Sequence, residues 1–99
     1  MNTFGSWSTE TQQAFTLVKQ ELEKAQRNYE PMSSAHEGWA VILEEVDELW
    51  EEVKKKPSTR SFDRMEHEAI QVAAMAVRFL IDICGRATDP LSHEIVWPL

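Results

Sequence analysis

The chain has 99 residues, of which 42% are hydrophobic, with 3 Gly, 4 Pro and a formal net charge of −7. That length allows one small domain, which buries about two-thirds of its unfolded surface at best and gains from association. The composition excludes a disordered chain, the acidic balance excludes a binder of nucleic-acid backbone, and no apolar run approaches the roughly 18–20 residues that span a bilayer.

The opening Met1-Asn2-Thr3-Phe4-Gly5-Ser6 has neither a basic start nor an apolar stretch, so no signal peptide is expected. The single Cys84 rules out an internal disulfide and fits a reducing cytoplasm. Nothing alternates with period two for long enough to make a strand, and the expected class is all-α.

The first helix is expected over about 9–29, starting at Ser8 or Thr9, with Thr9-x-x-Gln12 as a capping box. Phe15, Val18, Leu22 and Ala25 recur every three or four residues as one narrow apolar stripe. Pro31 ends it, because the residue before a proline is pushed out of the helical region. The second helix, about 35–55, opens on the Ser34-Ala35-His36-Glu37 capping box. Trp39, Ile42, Val46, Leu49, Trp50 and Val53 form its expected buried side, and Lys54, Lys55 and Lys56 suit the C-terminal end of its dipole before Pro57 stops it.

The third helix, about 61–84, is apolar nearly all round, from Met65 through Ile70 and Phe79 to Ile83, with Gly85 as its C′ stop. A helix without a wet face is buried on several sides, which three helices of one small chain cannot provide. Two copies are therefore expected to dimerise, helices two and three of each forming a four-helix core, with Ala73, Ala74 and Ala76 permitting close approach. The tail from Arg86 to Leu99 is expected to strap onto the bundle through Leu91, Ile95, Val96 and Trp97.

Helix two carries an unusual density of carboxylates: Glu44, Glu45, Asp47, Glu48 and Glu51 within about two turns. Like charges at i,i+3 and i,i+4 repel by roughly 0.2–0.5 kcal/mol each, relieved either by plain water or by a divalent cation. With Ile42 at the centre of the apolar face, Glu45 lies about 60° to one side and Glu52 and Glu48 follow on that flank. Glu44 and Glu51 point to solvent. On helix three, with Ala69 as centre, Glu68 lies about 100° away, and Arg64, Gln71, Met75, Arg78 and Asp82 share that more polar side. Two helices thus each bring a carboxylate to the margin of the core, which is how helical bundles build metal sites.

The pattern Glu44-Glu45-x-x-Glu48, a gap, then Glu68-x-x-Gln71 resembles the MazG-like family of all-α nucleoside triphosphate pyrophosphohydrolases. That family's signature is Glu-Glu-x-x-Glu followed by Glu-x-x-Asp, and the resemblance covers about half the chain, from His36 through Asp82. It implies carboxylate-held Mg²⁺, or Mn²⁺, and cleavage of a (deoxy)nucleoside triphosphate to the monophosphate and pyrophosphate. Carried over, Glu45, Glu48 and Glu68 are metal ligands and Glu44 is a ligand or water-orienting base. The departure is Gln71: a glutamine carbonyl can ligate Mg²⁺ but brings no charge and cannot act as a base.

The resemblance also places a nucleobase beside helix two, where Trp39 and Trp50 would stack on it, unless they are simply large core residues. Lys54 and Arg64, with Lys55, Lys56 and Arg60, either hold the outer phosphates or serve helix capping and solubility. His36 either touches base or sugar or is a plain surface residue. His67, His93 and Cys84 have no zinc-ligand spacing. Two functions are expected to compete: a Mg²⁺-dependent pyrophosphohydrolase acting as a dimer or tetramer, and a non-catalytic dimeric module that binds nucleotides or partners. Neither involves nucleic acid or a membrane.

Overall fold

The computed structural model describes residues 7–85, and the expected strap at Leu91, Ile95, Val96 and Trp97 lies outside them. Three helices carry the fold: α1 (Thr9–Asn28), α2 (Ala35–Val53) and α3 (Phe62–Phe79). A single 3₁₀ turn, Pro57–Thr59, links α2 to α3, and a π-helical turn, Leu80–Cys84, extends α3. No strand occurs among the described residues, as the all-α expectation requires. No described helix is long and apolar enough to cross a membrane.

Each helix begins where a short hydroxyl side chain meets an orphan amide. Ser8 Oγ accepts from the Thr11 N–H, so Ser8 is the cap and the Thr9 box does not form. Ser34 Oγ accepts from the Glu37 N–H at 3.1 Å, while the Glu37 carboxylate reaches one residue further back, to the N–H and hydroxyl of Ser33. Those two bonds hold the Glu37 carboxyl below its usual range. Ser61 Oγ caps α3 through the Arg64 N–H. At the other end of α2, Arg60 Nη2 donates to the carbonyls of Val53 and Lys55 at 2.8 and 3.1 Å. Arg60 thus caps the C-terminal end of α2.

Gly85 caps the helical run that ends at Cys84, as expected, but without the left-handed turn of a C′ glycine. Its φ of −63° is ordinary right-handed backbone, and its N–H donates to the Leu80 carbonyl, closing the wider π turn.

Helix α3 is central, packed most extensively against α2 and next against α1. Among the described residues the buried apolar ones are few: Ala25 from α1, Met32 from the α1–α2 loop, and Ala74 and Met75 from α3. Val18, Leu22, Val41, Ile42, Phe79 and Ile83 pack around them. Phe15 leaves this stripe and pairs with Trp7, ring centroids 4.7 Å apart. The α1–α2 loop is bolted to α3 at two points. Asp82 Oδ2 accepts from the Met32 N–H at 2.9 Å, and Arg78 Nη2 donates to the Glu30 carbonyl at 2.9 Å. Gly38 lets α2 and α3 meet: a Cβ there would lie 2.6 Å from Phe79 Cδ2 and 3.1 Å from the Met32 sulfur.

The expected inner face of α2 is divided. Ile42 and Leu49 are half-buried, whereas Trp39 (59%), Val46, Trp50 (57%) and Val53 are exposed in the single chain. Ala69, taken as the centre of the inner face of α3, is also exposed, and the buried side runs through Ala74, Met75 and Arg78. Periodicity finds apolar faces but does not say which faces are covered within one chain.

Candidate metal centre and cleft

Residues Glu45 and Glu48 sit one turn apart on α2, so their side chains leave the same flank. Helix α3, laid against that flank, brings Glu68 to them: one carboxylate oxygen from each of Glu45, Glu48 and Glu68 lies within 4.8 Å of the others. Glu45 and Glu68 are half-buried and Glu48 is exposed. Oxygen Oε2 of Glu68 is shielded from solvent and has no hydrogen-bond donor among the described residues.

Electrostatics follow from that crowding. Loss of solvent, then the charges of Glu48 and Glu68, push the Glu45 carboxyl up from 4.5 to about 6. The Glu68 carboxyl is raised as well, first by burial and then by Glu48, with His67 opposing. Both shifts reflect the cost of holding ionised carboxylates in a site of reduced dielectric, first through loss of solvent and then through their mutual repulsion. Lys55 Nζ lies 2.8 Å from Glu52 Oε1 on the next turn. Around a Mg²⁺ with ligands at about 2.1 Å, opposite oxygens lie about 4.2 Å apart. The trio therefore needs only small side-chain adjustments to hold a divalent ion. All-oxygen, anionic donors suit a hard cation such as Mg²⁺ or Mn²⁺.

Beside the trio opens a cleft of about 610 Å³ between α1, α2 and α3. Glu44, Glu45 and Gln71 line it, so three of the sequence-derived site residues meet there. The Gln71 amide donates to Glu21 Oε1 of α1, which fixes its orientation. The other sequence-derived binding residues are placed elsewhere. Trp39, Trp50, His36 and Arg64 are exposed and do not line the cleft, and Lys54 Nζ is 2.8 Å from Glu51 Oε1.

In their place the cleft is lined by Glu21, Lys24 and Asn28 of α1 and by His67, Met75 and Arg78 of α3. The α1 group follows a signal present in the sequence, since positions 21, 24 and 28 share one helical flank next to Ala25. Of the α3 group, Met75 and Arg78 fall on the polar side expected from the sequence, and His67 joins them one turn before Gln71. Asp82 is engaged by Met32 and lies 3.9 Å from Arg78.

No protein-family model, no curated protein and no solved structure matches this chain.

Proposed function

We propose that the chain is a divalent-cation-dependent nucleoside triphosphate pyrophosphohydrolase of MazG-like type. The observation that carries this reading is the meeting of Glu45, Glu48 and Glu68 from two helices within 4.8 Å, with a shielded, donor-free oxygen on Glu68. Those three side chains would hold the ion. A bound cation there would neutralise phosphate charge and lower the pKa of a water. Glu44, at the rim of the cleft, is the candidate to orient that water. The cleft beside the trio offers room for the rest of a nucleotide, with Lys24 and Arg78 as its cationic groups.

The working unit in this reading is a dimer. Trp39, Leu43, Val46, Trp50 and Val53 are all exposed in the single chain and follow one another at spacings of 4, 3, 4 and 3, a coiled-coil seam. Phe62, Ala69 and Ala76 of α3, with Leu80 of the π-helical turn that extends it, make a matching exposed stripe. On both helices the stripe lies roughly 170–180° from the cleft residues. A second copy covering this face would complete a four-helix core of α2 and α3 and leave the cleft open.

A second reading, a nucleotide-binding module without turnover, is favoured by Gln71, which brings no charge where a second ion would need one. One assay separates the two: pyrophosphate release from a panel of ribo- and deoxynucleoside triphosphates with Mg²⁺ or Mn²⁺. Hydrolysis reads as metal-dependent turnover that Glu48→Gln and Glu68→Gln each lower by about a hundredfold or more. Absence of turnover with every substrate, or full activity in both variants, contradicts it.

A further inference from the structure

Arg78 is the least expected charge in the fold. Its side chain is 7% exposed, on the buried side of α3, yet it lines the cleft. A guanidinium carries five N–H donors. Here Nη2 donates to the Glu30 carbonyl and Nη1 to the Met75 sulfur at 3.6 Å, a weak acceptor. The nearest carboxylate, Asp82, is 3.9 Å away and already accepts from the Met32 N–H. Donors thus remain for a ligand in the cleft, and the structural bonds hold the fork in one orientation. The Glu30 carbonyl and the Asp82 carboxylate offset part of the cost of burying this cation without using all five donors.

Surrounding side chains say what kind of ligand this is. Ala25, Met32, Val41 and Met75 are the apolar part of a lining that also carries Glu21, Glu30 and Glu37. Thioether sulfurs pack well on aromatic faces, whereas a phosphate without a cation would be repelled by those carboxylates. Position along the helix agrees. Residues 68 and 78 are about 15 Å apart at 1.5 Å per residue, and helical side chains lean back towards the N-terminus. Both lean the same way, so Arg78 stays on the order of 10–15 Å along α3 from the trio, room for a sugar and base beyond a metal-held phosphate.

We infer that Arg78 reads the base of the nucleotide, donating through its fork to an edge that offers two adjacent acceptors, as guanine and cytosine do. Guanine presents O6 beside N7, and cytosine presents O2 beside N3. Adenine places an N6 donor beside N7, and uracil places an N–H between its two carbonyls, so each opposes a donor to a donor. This inference rests on the nucleotide reading above but not on its chemistry.

The test is calorimetric binding of GMP, CMP, AMP and UMP to the whole chain in EDTA, with inorganic pyrophosphate as a fifth probe. GMP or CMP should bind at least about fivefold tighter than AMP and UMP. Arg78→Lys keeps a charge and a donor for the Glu30 carbonyl but loses the fork, and should bring the four affinities within about twofold. Equal affinities in the wild type, no binding of any monophosphate, or a preference retained by Arg78→Lys overturns the assignment. So does pyrophosphate displacing CMP without metal, which would make Arg78 a phosphate ligand. The wild-type ranking decides even if the variant fails to fold. Failure of metal-dependent hydrolysis leaves the ranking intact, so the two readings fall separately.

Discussion

At the scale of single residues, the trio of Glu45, Glu48 and Glu68 makes the cation-free protein sensitive to pH. Glu45 titrates near 6 in the folded chain against 4.5 for an unperturbed carboxyl. Between those values the folded state binds more protons than the unfolded state, so stability falls as pH rises. The melting temperature in EDTA should therefore be higher at pH 5 than at pH 7.5, opposite to a protein held by carboxylate ion pairs. Glu68→Gln removes one of the repelling charges at nearly constant shape, and should raise the melting temperature at pH 7.5 and flatten the slope. A scan in which wild type and variant have the same pH dependence would mean that the three carboxylates do not interact. Gln71 adds a contrast: its neutral amide meets Glu21 as a donor, where an Asp would have met it as a second anion.

Among the helices, close approach matters more than propensity at one position. Gly38→Ala would gain about 0.5–1 kcal/mol of helix propensity. Against that, the new Cβ would sit 2.6 Å from a ring carbon of Phe79, itself packed against the core. Overpacking of this kind costs about 1–3 kcal/mol. Denaturant unfolding should thus show a net loss of stability, and a gain would mean that Phe79 moves aside freely. The helices themselves were legible because Ser8, Ser34 and Ser61 cap them, Pro31 and Pro57 bound them, and their apolar residues keep a 3.6 period. Carboxylate convergence was legible for the same reason: Glu45 and Glu68 flank apolar stripes that had to meet. Which stripe meets which was not. Helix α2 has two adjoining apolar faces, one through Ile42 and Leu49 and one through Trp39, Val46 and Trp50, and a helical wheel ranks them alike. The cleft residues of α1, Glu21, Lys24 and Asn28, escaped notice because polar residues on an amphipathic helix are ordinary until a neighbour faces them.

For the whole molecule, the small core decides the behaviour. Four buried apolar residues among the described ones are little support for a domain of this size, while twelve large hydrophobics are exposed. A second copy over the α2–α3 seam would bury Trp39 and Trp50 together. Val46 lies mid-seam and is 41% exposed in the single chain. Val46→Glu should cost the isolated chain little, within about 0.5 kcal/mol, because surface substitutions rarely do more. It should nonetheless convert a species of twice the 11.5 kDa chain mass to a monomer in sedimentation velocity. Wild type sedimenting as a monomer at micromolar concentration would remove the dimer.

The most direct check on the shared cation is a calorimetric Mn²⁺ titration of the wild-type chain at pH 7.5 and pH 5. The account predicts binding at pH 7.5 that weakens at least about tenfold at pH 5, as Glu45 takes up a proton, and that Glu68→Gln abolishes at both. Mn²⁺ heats equal to the buffer blank at pH 7.5, or binding unchanged by Glu68→Gln, would contradict it.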